Sequence, residues 1–120
     1  MTNSPSSAAH AIGGYDAVAY FEDGRAVEGR AEHAVEHAGG TWLFVSEGHA
    51  AAFRAAPQKY MPAYHGHCAF GASFGQKEPG DPRHWAVRNG RLFLNSNRIV
   101  HQLWKLLPGR IAAADKKWGK

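Results

Sequence analysis

The run Thr41-Trp42-Leu43-Phe44-Val45, directly after Gly39-Gly40, constrains this chain most. β-branched and aromatic residues behind a glycine pair read as the second strand of a hairpin, with the weakly alternating His33-Ala34-Val35-Glu36-His37 as its first. A second hairpin follows the same logic further on: Trp85-Ala86-Val87 and Leu92-Phe93-Leu94 flank Asn89-Gly90. Helices are expected between and after them. Ser46 is a good N-cap for a short Ala-rich helix from Glu47 to Ala56, stopped by Pro57. Asn95 to Leu107 reads as an amphipathic helix carrying Val100, Leu103, Trp104 and Leu107, kinked or restarted at Pro108-Gly109 and finished by Ile111 to Trp118. Tyr15 to Phe21 reads as a first strand, with Ala26 to Gly29 returning antiparallel to it. Tyr64 to Phe74 is Gly-rich but spaced like a closely packed helix. The expected fold class is therefore α+β, small antiparallel hairpins packed with short helices and a longer C-terminal amphipathic helix. Residues 1–13 are expected to be a disordered tail and residues 14–120 a single domain without an internal repeat. Trp42, Phe44, Phe53, Leu94, Val100, Leu103 and Trp104 are the expected core.

Only one cysteine, Cys68, is present, so no internal disulfide can form. A chain of 120 residues buries roughly two thirds of its unfolded surface, which suffices for a core without staples. The net charge is +4 with histidine neutral, but the arginines are scattered and only Lys116, Lys117 and Lys120 cluster. That is a solvated basic surface and not the basic, aromatic-interleaved stripe of a nucleic-acid binder. Residues 1–11 have neither the basic nor the apolar segment of a signal peptide, and no run is long enough to span a membrane. The sequence as given points to the cytoplasm, or to the periplasm if a leader has been removed.

Eight histidines in 120 residues tip the composition toward metal binding. Cys68 is the first candidate ligand. On a helix it shares a face with His65; in an extended segment His65 and His67 share one instead. A thiolate beside an imidazole suits copper, with zinc as the alternative. His33 and His37, four apart on a strand, also share a face. His101 borders the apolar stripe of the long helix, and Asp16 is a candidate carboxylate ligand or a partner to one. Each residue has a plainer reading: a buried thiol, exposed histidines, an Asp that closes a turn. His10 and His84 read as exposed tail and loop residues.

Several stretches resemble the YHS-domain family. Gly14-Tyr15-Asp16-Ala17-Val18-Ala19-Tyr20-Phe21 resembles the Gly-Tyr-Asp-Pro-Val-Ala-Tyr-Phe opening of its stand-alone members, with Ala17 in place of Pro. Residues 31–60, with Glu36-His37, Trp42-Leu43-Phe44, Ser46-Glu47 and Phe53-x-x-x-Pro57-x-x-Tyr60, resemble the YHS module attached to heavy-metal-transporting ATPases. Tyr64 to Gly71, Leu94-Asn95 and Pro108-Gly109 to Trp118 resemble the stand-alone members again. The resemblance spans residues 14–118. It implies an α+β, treble-clef-like core whose metal-binding versions carry cysteines where this chain has Ala19, Val45 and His49. Cys68 matches the family pattern Tyr-Gly-Gly-Tyr-Cys-Ala, whereas His65 and His67 depart from it.

Three functions remain open on these grounds. The first is a transition-metal binding or sensing module, copper preferred, using Cys68 and nearby histidines, with no ion required for folding. The second is a metal-free binding or scaffold module, the former ligand positions having been filled by core residues. The third is a thiol-dependent enzyme built on a Cys–His pair, for which no oxyanion or third-residue signature is present. No protein partner is indicated.

Overall fold

The computed structural model describes residues 10–118. The chain divides into two compact units, Met1–Met61 and Pro62–Lys120. Both are α+β. The first contains a 3-10 turn over Ala11–Gly14, helix α1 (Ala19–Glu22), strands β1 (Arg30–His37) and β2 (Gly40–Phe44), and helices α2 (Glu47–Ala55) and α3 (Pro57–Tyr60). The second contains a 3-10 turn over Ala63–Gly66, helix α4 (Ala69–Ala72), strands β3 (Asp81–Arg88) and β4 (Arg91–Asn95), and helices α5 (Arg98–Leu106) and α6 (Arg110–Trp118). The order of elements is the same twice over. The sequence is expected to hold no internal repeat; the structure shows one, carried mainly by conformation, with identical residues at a few corresponding turns, Gly29 and Gly80, Gly39 and Gly90, Pro57 and Pro108.

Corresponding turns and caps explain the likeness. In each unit the strands pair antiparallel, β1 with β2 and β3 with β4. The reversals use two residues with positive φ, Ala38-Gly39 in one hairpin and Asn89-Gly90 in the other, as tight two-residue hairpins require. Each hairpin has an irregular register near its start, between Arg30 and Ala34 and between Asp81 and Trp85. A glycine precedes each: a Cβ on Gly29 would run into the backbone of Leu43, and one on Gly80 into the carbonyl of Gly66. The following helix is side-chain capped both times. The Ser46 hydroxyl accepts from the His49 amide, and the Asn97 side chain accepts from the Val100 amide. Pro57 and Pro108 follow these helices.

Each unit has its own core. Ala17, Val18, Trp42, Phe44, Ala50, Phe53 and Tyr60 form the first, and Tyr64, Ala69, Ala72, Phe93, Trp104 and Ala114 the second. Of the expected core residues, Trp42, Phe44, Phe53, Leu94 and Trp104 are buried. Leu103 is not: it is 41 % exposed, and Val100 is half-buried. The phase of α5 differs from the apolar stripe because His101, a polar residue, turns inward with Trp104. Ile99, Leu103, Leu106 and Leu107 consequently lie outward.

Two other expectations are corrected. Tyr15 to Phe21 is not a strand. Tyr15 makes an isolated antiparallel bridge to Glu28, so the expected return is reduced to one residue pair. The Asp16 carboxylate then takes the amides of Val18 and Ala19, which turns the chain into α1. Tyr64 to Phe74 is not one helix either, since Tyr64 and His65 have positive φ and only Ala69–Ala72 is α-helical. Residues 1–9 of the expected tail lie outside the described residues. His10 bridges Thr41 and Ala11–Gly14 forms its 3-10 turn. Among the described residues, no helix is long and apolar enough to cross a membrane.

Candidate functional site

Each unit has a buried polar centre at a corresponding place. In the first unit the side chain is Asp16, with no exposed surface. One carboxylate oxygen accepts from the amides of Val18 at 2.8 Å and Ala19 at 3.0 Å. The other accepts from the Val45 amide at 2.9 Å and faces His49 Nδ1 at 2.7 Å. A buried carboxylate must have its lone pairs occupied, and here each oxygen has two partners. His49 sits on the first turn of α2 because Ser46 caps that turn; its Nε2 lies 3.9 Å from the Asp23 carboxylate.

In the second unit the place of Asp16 is taken by Cys68, which is 1 % exposed. Its amide donates to the Glu78 carbonyl, as the Asp16 amide donates to Val27. Its Sγ accepts from the Ser96 amide and from the Ser96 hydroxyl, both at 3.3 Å. Ser96 follows β4 as Val45 follows β2. The thiol in turn donates to Asn95 Oδ1 at 3.5 Å. Asn95, fully buried at the end of β4, accepts from the Phe70 amide at 2.9 Å with the same oxygen. That bond fixes the amide orientation and presents Nδ2 to His101 Nδ1, 2.8 Å away. His101 therefore accepts at Nδ1, which is the neutral imidazole's role. Burial holds its pKa below the ordinary histidine range, assisted by the positive charges of Lys105, His84 and Arg88, against an opposing backbone hydrogen bond at Trp85. Its ring stacks on Trp104 at 5.9 Å.

The remaining candidate residues are held elsewhere. His65 and His67 pack their rings on Trp118 at 5.7 and 5.3 Å, and His67 Nδ1 lies 2.9 Å from the Tyr64 carbonyl. Cys68 bonds to Asn95 and Ser96, so the contacts found for it do not include the two histidines nearest in sequence. His33 is 4.0 Å from Glu47, and His37 sets its ring edge-on to Phe53. His101 is linked to Cys68 through Asn95. His84 lies 6.4 Å from His101, ring to ring. Asn95 and Ser96 were not among the candidate site residues, and His49 entered only as a ligand position implied by the YHS resemblance. The signal that finds Ser96 is the repeat, since each unit presents the amide of the residue just after its hairpin to the side chain at the Asp16 or Cys68 position; Asn95 lies within β4 and corresponds to Phe44, so the repeat does not mark it.

The metal positions implied by the YHS resemblance do not fit a thiolate site. Ala19 is buried and, like Val45, offers no ligand atom, while His49 Nδ1 is engaged by Asp16. Among the described residues, no three or more His, Cys, Asp or Glu side chains are grouped to hold an ion. A further polar cluster joins Tyr64, Asp115 and Arg91: the Tyr64 hydroxyl donates to Asp115 at 2.8 Å, and Arg91 makes two bonds to the same carboxylate at 2.9 and 3.0 Å. Burial first, then its hydrogen bond to Asp115, pushes the Tyr64 phenol well up. No family model, curated protein or solved structure matches the chain.

Proposed function

We propose that the chain is a YHS-like binding module whose two polar centres are internal struts, the fold being complete without a metal ion. The observation that carries this reading is the correspondence of Asp16 and Cys68. Each receives the amide of the residue just beyond its hairpin, Val45 on a carboxylate oxygen and Ser96 on Sγ. A carboxylate and a thiol used in one geometrical role point to that role being acceptance of a backbone hydrogen bond, which both groups perform, and not to a chemistry that only sulfur performs. The burial of Cys68 and its Asn95 partner argue against a nucleophile, which needs access and a base within hydrogen-bond reach. His101 reaches Sγ only by way of Asn95.

Copper(I) competition against a chromophoric chelator tests the reading. Wild type and Cys68→Ser should give superimposable curves. Withdrawal of one copper(I) equivalent by the wild type, lost in Cys68→Ser, would instead establish a soft-metal site at Cys68.

A further inference from the structure

The start of α6 carries a feature separate from the Cys68 centre, the two meeting at Trp104, on which His101 stacks. A cavity of about 160 Å³ is lined by Arg88, Trp104, Lys105 and residues 107–112. Three of its lining side chains are cationic and none is acidic. The Arg–carboxylate pairs among the described residues use Arg30, Arg54, Arg83 and Arg91, none of which lines it. Helix α6, nine residues long, begins in this wall. Its first intrahelical bond is Ala113 to Gly109, so the amides of Arg110, Ile111 and Ala112 precede any intrahelical partner. Such an end carries partial positive charge and favours anions. Gly109, with φ +77°, turns the chain into the helix, and the space beside its Cα is open.

A second, independent observation concerns two donors on residues of the cavity wall. Trp104 is 1 % exposed and its indole Nε1–H has no hydrogen-bond partner; Arg110 Nε is likewise buried and unpartnered. Buried donors are nearly always satisfied, and both of these belong to residues that line the cavity. Arg88 lies over the Trp104 ring at 4.4 Å, and Arg110 lies over the Phe74 ring at 5.1 Å with its Nη1 3.2 Å from the Ser73 hydroxyl, so both guanidinium groups are held by neighbouring side chains.

We propose that this cavity is a binding site for a phosphate-class dianion, taken by Arg88, Lys105, Arg110 and the amides that open α6. Two negative charges match three cations and a helix end better than the single charge of a carboxylate does. The site deepens the binding-module reading by naming a ligand class, and it rests on that reading only in taking the chain for a binder. Cys68→Ser alters no lining residue, so the copper titration and the present one fail separately.

The test is a ¹H–¹⁵N NMR titration of the full chain with sodium phosphate, ionic strength being held constant with sodium chloride. The Trp104 indole N–H and the amides of Arg110, Ile111 and Ala112 should shift saturably. Arg110→Gln should weaken binding about tenfold, the loss expected for one charge-assisted hydrogen bond. Lys105→Gln, a change on an exposed side chain, should weaken it about threefold with an unchanged denaturant midpoint. Acetate should bind more weakly than phosphate. Phenyl phosphate separates two sources of the same chemistry: tighter binding assigns the cavity to a phosphomonoester, weaker binding to the free ion, and either supports the site. Equal shifts from chloride alone, or unchanged affinity in both variants, would overturn it.

Discussion

Asp16 and Cys68 hold the same place in their respective units, each accepting a backbone amide from the residue that follows the second strand, Val45 at 2.9 Å and Ser96 at 3.3 Å. The two bonds differ in kind, since one acceptor is a carboxylate and the other a thiol. Hydrogen bonds to charged groups are the stronger ones.

Asp16→Ala should therefore be the most damaging polar substitution in the first unit. It strands the amides of Val18, Ala19 and Val45 and leaves His49 without its 2.7 Å partner. The expected cost is about 3–5 kcal/mol, as for breaking a buried charged network. Urea unfolding measures it; a loss below about 1 kcal/mol would show that the centre holds nothing together.

Phe44→Ala and Trp104→Ala probe the two cores separately. Each side chain is buried and packed against aromatic neighbours, Phe44 on Phe53 and Trp104 on Phe93. Each truncation should cost about 3–5 kcal/mol by denaturant unfolding. Leu103→Ala, on the outward side of α5, should cost less than either.

Those contrasts mark what was legible in the sequence. Both hairpins could be read because turn residues and apolar runs are local signals, and the cap at Ser46 was equally local. The short helices α1 and α4 were not legible. Tyr15 to Phe21 has the composition of a strand, which masks the local Asp16 bonds to Val18 and Ala19 that start α1; the bonds that seat the two centres, Asp16 to Val45 and Cys68 to Ser96, are long-range, and no window of sequence contains both partners. The phase of α5 failed for a related reason. Apolarity alone points Leu103 inward, but Asn95 supplies the partner that lets His101 take the interior position. The candidate histidines were legible as residues and not as a constellation: His65 and His67 pack on Trp118, and His49 proved to be the partner of Asp16.

His101 should make stability depend on pH near neutrality. Its folded pKa is depressed, so between the folded and unfolded values the unfolded chain binds more protons. Stability is fully present above the unfolded value of about 6.5 and is lost as pH falls through the folded value. Denaturant midpoints across pH 5–8 should decline on the acid side, with less decline in His101→Gln. An identical pH profile in that variant would remove His101 as the cause.

A second loss of stability should follow at lower pH. Hydrogen bonding to Arg83 holds Asp81 down to about 2, and hydrogen bonding to Arg91 lowers Asp115 from 3.8. Both carboxylates contribute above their unfolded pKa of 3.8, and the contribution disappears as pH falls through the folded values. Both pairs are at least partly solvated, so salt should weaken the effect. Acid titrations of Asp81→Asn and Asp115→Asn at two salt concentrations check this; each variant should lose part of the acid dependence seen in the wild type.

The central claim, that hydrogen-bonded struts complete this fold without an ion, is tested most directly by thermal unfolding of freshly purified protein with and without a strong chelator. In a metal-stapled module the binding energy of the ion is folding energy, and removing the ion unfolds the chain. The account predicts the same cooperative transition at the same Tm in both samples. Collapse of that transition in chelator would contradict it.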